Sequence, residues 1–127
     1  MANPITPPEG FLAQPASAAD PQVSRVVVVL PAEIDIANAD QVESQLTAAC
    51  APGVTVIADL SATTFCDSSG ARALLTAHQR ASAAGGELRA AIPAAPVRRA
   101  MSLLALDTVL HIYPGLAEAL AGGPAGS

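Results

Sequence analysis

The chain has 127 residues, six basic and eleven acidic, for a formal charge of −5, and its length fits one domain. That acidic balance, with no tryptophan and only Phe11, Phe65 and Tyr113 as aromatics, excludes direct nucleic-acid binding, which needs a basic face and stacking rings. All six basic residues are arginines, which excludes lysine-dependent phosphate loops, Schiff bases and amine nucleophiles, and 29 alanines leave an aliphatic core of small side chains.

Residues 1–21 carry Pro4, Pro7, Pro8, Pro15 and Pro21 among alanines and small polar residues, a composition expected to form a flexible arm. Phe11 and Leu12 are candidates for a short edge strand within it. The first basic residue is Arg25, so the start lacks a signal peptide's charge, and no apolar run approaches the ~18 residues of a membrane span. A soluble, cytoplasmic protein is expected.

The β-branched run 26–30 reads as a strand buried on both faces, as in a parallel or mixed sheet. Asn38 then caps a helix, with Gln41 reaching back in a capping box. Ala39, Val42, Leu46, Ala49 and Cys50 share its apolar face, which makes Cys50 a core residue. Cys50 and Cys66 are isolated, with no CxxC and no histidine at ligand spacing, so neither metal nor disulfide is expected. A second buried strand is read at 54–60.

The segment from Asp59 to Gly70 follows, leaving a buried strand through a polar loop and entering a helix. In open α/β sheets the crevice beyond the strand C-termini is where sites sit. Asp67 is placed as N-cap, with Ser68, Ser69 and Gly70 as the first turn. By spacing alone these are ordinary capping residues. A glycine there costs about 1 kcal/mol of helix propensity relative to alanine and is read as leaving the backbone uncovered. Ser69 would lie beside unpaired N–H groups and the positive end of the helix dipole, where an added phosphate is tolerated.

The helix that follows places Ala71, Leu74, Leu75, His78 and Ala81 toward the sheet. Arg72, Thr76 and Gln79, with Ala73, Ala77 and Arg80 beside them, form a low surface next to the serine, suited to docking a protein. Gly85 and Gly86 mark a turn rather than a phosphate cradle. A strand is read at 88–92, then a helix opening at Pro96 with Val97, Ala100, Met101 and Leu104 on one stripe and Arg98 and Arg99 solvated. A strand at 108–113 and a short helix at 116–121 complete the domain, and 122–127 is a loose tail. The alternation of strands and helices argues for an α/β layer fold.

Serine hydrolysis does not suit these residues. The nucleophile elbow needs glycine two residues before and two after the serine, where Ser69 has Asp67 and Ala71. His78 lies on the packed stripe and His111 within a strand pattern, so no catalytic activity is expected.

Four stretches taken together resemble the STAS domain, and specifically the free-standing anti-sigma factor antagonists. They are Glu33-Ile34-Asp35-Ile36-Ala37, Ile57-Ala58-Asp59-Leu60-Ser61, Phe65-Cys66-Asp67-Ser68-Ser69-Gly70, and Arg98-Arg99 ahead of Leu106-Asp107. The resemblance covers residues 22–121. It implies a mixed, mostly parallel sheet of four to five strands packed against about four helices, with no cofactor. It also implies phosphorylation at Ser69, supported by Asp67, Ser68, Gly70 and Asp35, by a partner that is both anti-sigma factor and serine kinase. A phosphoserine phosphatase would reverse the mark. The unphosphorylated form would bind that partner through Arg72, Ala73, Thr76, Ala77 and Arg80 and release a sigma factor. The alternative is a STAS interaction module of another assembly, a signalling complex or a lipid-transport system, without the phosphate switch. Alanine richness and an all-arginine basic set suggest a high-GC bacterial genome. Two positions depart from the family: Ala32 and Ala105 stand where it usually has glycine, and a positive φ at either would strain the alanine.

Overall fold

The computed structural model describes residues 24–122. The expected arm over 1–21, with Phe11 and Leu12, and the tail from 123 onward lie outside the described residues. In chain order the elements are β1 (Ser24–Val29), β2 (Glu33–Ile34), α1 (Ala39–Ala48), β3 (Val54–Asp59), β4 (Phe65–Cys66), α2 (Ser68–Ala83), β5 (Glu87–Ala91), α3 (Ala95–Leu103), a 3-10 turn (Leu106–Thr108), β6 (His111–Tyr113) and α4 (Leu116–Ala121). Four strands form one sheet in the order β1-β3-β5-β6, and β2 pairs with β4 in a separate ladder. The fold is α/β. Every pairing among the described strands is parallel rather than mixed. Parallel neighbours require crossovers, which the intervening helices supply.

The centre of the sheet follows from its side chains. β3 lies between β1 and β5, and its alternating residues fill two cores. Val56 and Ala58 join Leu88, Ala90, Leu46 and Leu74 beneath the helices on one face. Ile57 joins Ala91, Tyr113 and Ala119 beneath α4 on the other.

β1 differs from the reading of a strand buried on both faces. It ends the described sheet, pairing with β3 alone, so Val26 and Val27 are more than one-third exposed and Val29 is 68% exposed. Leu30 closes the strand into the core, and its N–H donates to the Asp59 carbonyl at 3.0 Å.

Asn38 is the N-cap of α1, but the capping box is not formed. Its side chain instead ties the preceding turn, Oδ1 accepting from the Asp35 N–H at 3.0 Å and Nδ2 donating to the Glu33 carbonyl at 2.8 Å. Ala39, Val42 and Leu46 are buried as read. Cys50 is only half-buried, beyond the helix end, where its thiol donates to the Leu46 carbonyl.

In α3, Val97 and Met101 are buried, while Leu104, past the helix end, is exposed. Arg98 is not a free surface group: its Nη1 donates to the carbonyls of Ile92 and Pro93 at 2.8 and 2.7 Å, clamping the loop that enters α3. The strand expected at 108–113 is shorter than read, because residues 106–108 wind into the 3-10 turn. That turn is entered through Ala105 at φ 61°, the non-glycine residue in the left-handed region among those described. Of the two departures from the family pattern, Ala105 therefore carries strain and Ala32 does not.

α4 forms where expected. Arg89 fastens it to the sheet, Nη1 donating to the Ala119 carbonyl at 2.8 Å and Nε to Glu87 at 3.1 Å, with the guanidinium 6.0 Å above the Tyr113 ring.

Candidate functional site

The site is assembled by the β2–β4 ladder. Glu33 pairs with Phe65 and Ile34 with Cys66. The ladder is extended at one end by Thr63, whose hydroxyl donates to the Pro31 carbonyl at 2.8 Å, and at the other by the Asp67 N–H donating to the Ile34 carbonyl at 3.1 Å. These bonds hold the turn after β2 beside the start of α2, although more than 30 residues separate them in sequence.

Asp67 caps α2 as read. Its Oδ1 accepts from the Ser69 N–H at 2.8 Å and the Gly70 N–H at 3.2 Å. The first-turn donors at Ser69 and Gly70 are therefore occupied, not unpaired. Gly70 is not an uncovered backbone position either, for it is buried. A Cβ there would stand 2.5 Å from Cys66 Sγ and 2.6 Å from Ile34 Cγ2. The glycine lets α2 begin in contact with the ladder. The same closeness pushes the Cys66 thiol up to about 11, first because it is buried and second because the Asp67 carboxylate disfavours a neighbouring thiolate.

Between α1 and the start of α2 runs a groove of about 440 Å³. Asp40 and Glu43 line it from α1, Ser68, Ser69 and Arg72 from α2, with Ala39 and Ala73 between and Ile36 at the rim. Ser68 is exposed and Ser69 half-buried. The Ser69 hydroxyl bonds to no protein group among the described residues, and it is not among the orphaned polar atoms sealed from water. Asp35 sits at the end of β2 next to this entry, but its Oδ1 accepts from the Ala37 N–H at 2.9 Å, and it does not line the groove.

The expected docking row is narrower than read. Ala73 and Ala77 are 2% and 0% exposed, because α1 packs along that side of α2 and the alanines let the two helices approach. Arg72 and Arg80 remain exposed and Thr76 half-buried, so the outward surface is polar. Asp40 and Glu43 were not singled out from sequence. Their signal is an acidic pair at i, i+3 beside the buried Ala39 and Val42, which places them on a helix flank.

Neither histidine is placed to act as a base for Ser69. His78 is nine residues beyond Ser69, about 13 Å along the same helix, and His111 stays with His78, ring centroids 6.2 Å apart. No cluster of three or more metal-ligating side chains exists among the described residues. Among them too, no helix is long and apolar enough to cross a membrane.

A parallel α/β sheet with a small auxiliary ladder that presents an Asp-Ser-Ser-Gly helix entry is the arrangement built by the described residues. The profile of the STAS domain matches residues 15–119, and the chain belongs to that family. The crystal structure of a candidate anti-sigma factor antagonist from Thermotoga maritima shares the fold with a TM-score of 0.61 at 24% identity, over 75% of this chain and 85% of that one. A comparison with curated proteins gave no match.

Proposed function

We propose that the protein is an anti-sigma factor antagonist. Its unmodified form binds an anti-sigma factor with serine kinase activity through the outer face of α2 and the adjoining groove, and phosphorylation of Ser69 ends that binding. The observation that carries the reading is the unpartnered Ser69 hydroxyl on the wall of the groove, at a helix entry that Asp67 and the ladder hold rigid. Family membership and the likeness to the Thermotoga protein support it.

In the reaction, the Ser69 hydroxyl attacks the γ-phosphorus of the kinase's ATP. The bond to Oγ forms, the bond to ADP breaks, and the hydroxyl proton is released. The phosphate adds about 1.5 to 2 negative charges to a groove that already holds two carboxylates against one guanidinium. A like charge or an apolar surface of the partner then opposes docking, and each ~1.4 kcal/mol of opposition is tenfold in affinity. A phosphoserine phosphatase restores the binding form.

The test is to use the chain as bait for an ATP-dependent serine kinase from its host, to incubate the two with ATP, and to map the product by mass spectrometry. One phosphate at Ser69 is expected. Modification that persists in Ser69→Ala, or that maps to Ser68, overturns the assignment.

A further inference from the structure

Arg72 lies one helical turn beyond Ser69, on the same wall of the groove, across from Asp40 and Glu43. It makes no ion pair or hydrogen bond among the described residues. A side chain three residues further along a helix is a neighbour, with Cβ atoms roughly 5–6 Å apart, so a guanidinium there can reach a group on Ser69.

A phosphate on Ser69 would need such a group. The usual anion partners at a helix start are its free N–H donors, but the Asp67 carboxylate already takes those of Ser69 and Gly70. Asp67 also brings a like charge to the same turn, and Asp40 and Glu43 bring two more across the groove. Of the described residues that line the groove, Arg72 alone is cationic. Arg80 is eleven residues beyond Ser69, about 16 Å along the helix, and out of reach.

We propose that Arg72 is the residue that receives the phosphate, bridging it within α2 and so stabilising the modified state of this chain. The inference rests on Ser69 being the acceptor. Guanidinium and phosphate match in a two-point, charge-assisted geometry, and a dianion one turn away outcompetes single carboxylates on the opposite wall. Modification then does two things at once: it adds negative charge, and it draws inward a cation that the unmodified face offers to the partner.

The test places phosphoserine at position 69 during translation, so that no kinase is needed, and follows its second ionisation, about pH 6 in free phosphoserine, by 31P NMR. Pairing with Arg72 favours the dianion, so Arg72→Gln is expected to raise that ionisation by about 0.2–0.4 unit. Arg72→Lys should recover part of the difference, and Arg80→Gln should leave it unchanged. A change below about 0.1 unit in Arg72→Gln, or an equal change in Arg80→Gln, overturns the proposal. The titration reads Arg72 whether or not the native kinase chooses Ser69, so failure of the acceptor assignment shows only in the mass mapping.

Discussion

Gly70 decides how closely α2 approaches the ladder that positions it. Helix propensity alone predicts that Gly70→Ala stabilises the domain by about 1 kcal/mol. Packing predicts the opposite, because the new methyl would overlap Cys66 Sγ and Ile34 Cγ2, and overpacking of this kind costs about 1–3 kcal/mol. The steric effect should win, giving a net loss read as a lower denaturant midpoint. Combining Gly70→Ala with Cys66→Ala should recover part of it.

The thiol on the other side of that contact sets a pH dependence. With its folded value pushed up by burial to about 11 from the ordinary 9.0 of a free thiol, Cys66 keeps its proton in the folded chain after the unfolded chain has lost it. Its contribution to stability is therefore whole below pH 9.0 and is lost as pH rises toward about 11. Stability of the wild type should fall more steeply than that of Cys66→Ala across this window, as measured by denaturant unfolding at several pH values. Equal slopes would show that the thiol is not held neutral by the fold.

Among the elements, α4 is the one most dependent on a single side chain. It has six residues, too few to persist alone, and one buried alanine docks it. Arg89 supplies the rest through its bond to the Ala119 carbonyl. Arg89→Ala should destabilise the domain by about 1–2 kcal/mol. Amide exchange should quicken in α4 while β3 stays protected.

The same scale shows what could be seen in advance. β3 and α4 were legible because runs and stripes of apolar side chains mark buried elements. α2 and its Asp67 cap were legible because a capping residue acts within a few positions of itself. The edge position of β1 was not, since valines favour a strand whether or not a second neighbour covers it. Ala73 and Ala77 were misplaced because alanine suits a surface and a helix contact equally, and only the path of α1 decides between them. Arg98 reads as solvated from the sequence because its acceptors are backbone carbonyls of a loop, which no residue pattern announces. At the site, the helix entry was readable, whereas the opposite wall of the groove required the three-dimensional pairing of β2 with β4.

For the whole molecule, the arrangement separates the switch from the scaffold. Ser69 lines the groove and is half-buried, whereas Gly70 is buried against Cys66 and Ile34. Ser69→Asp places its carboxylate at the positive end of the α2 dipole, where it is tolerated. Its melting temperature should stay within about 4 °C of wild type, while binding to the proposed anti-sigma factor partner falls at least about tenfold. A large thermal loss with binding intact would reverse that separation.

Ala105 shows where the domain has unused headroom. A left-handed alanine costs about 1–2 kcal/mol, and glycine there would forfeit roughly 0.4–1 kcal/mol through its greater freedom when unfolded. Ala105→Gly should therefore raise the melting point by a few degrees, far along the chain from the groove and without touching it. A variant toughened in this way would make a sturdier starting point for trapping the complex with the partner.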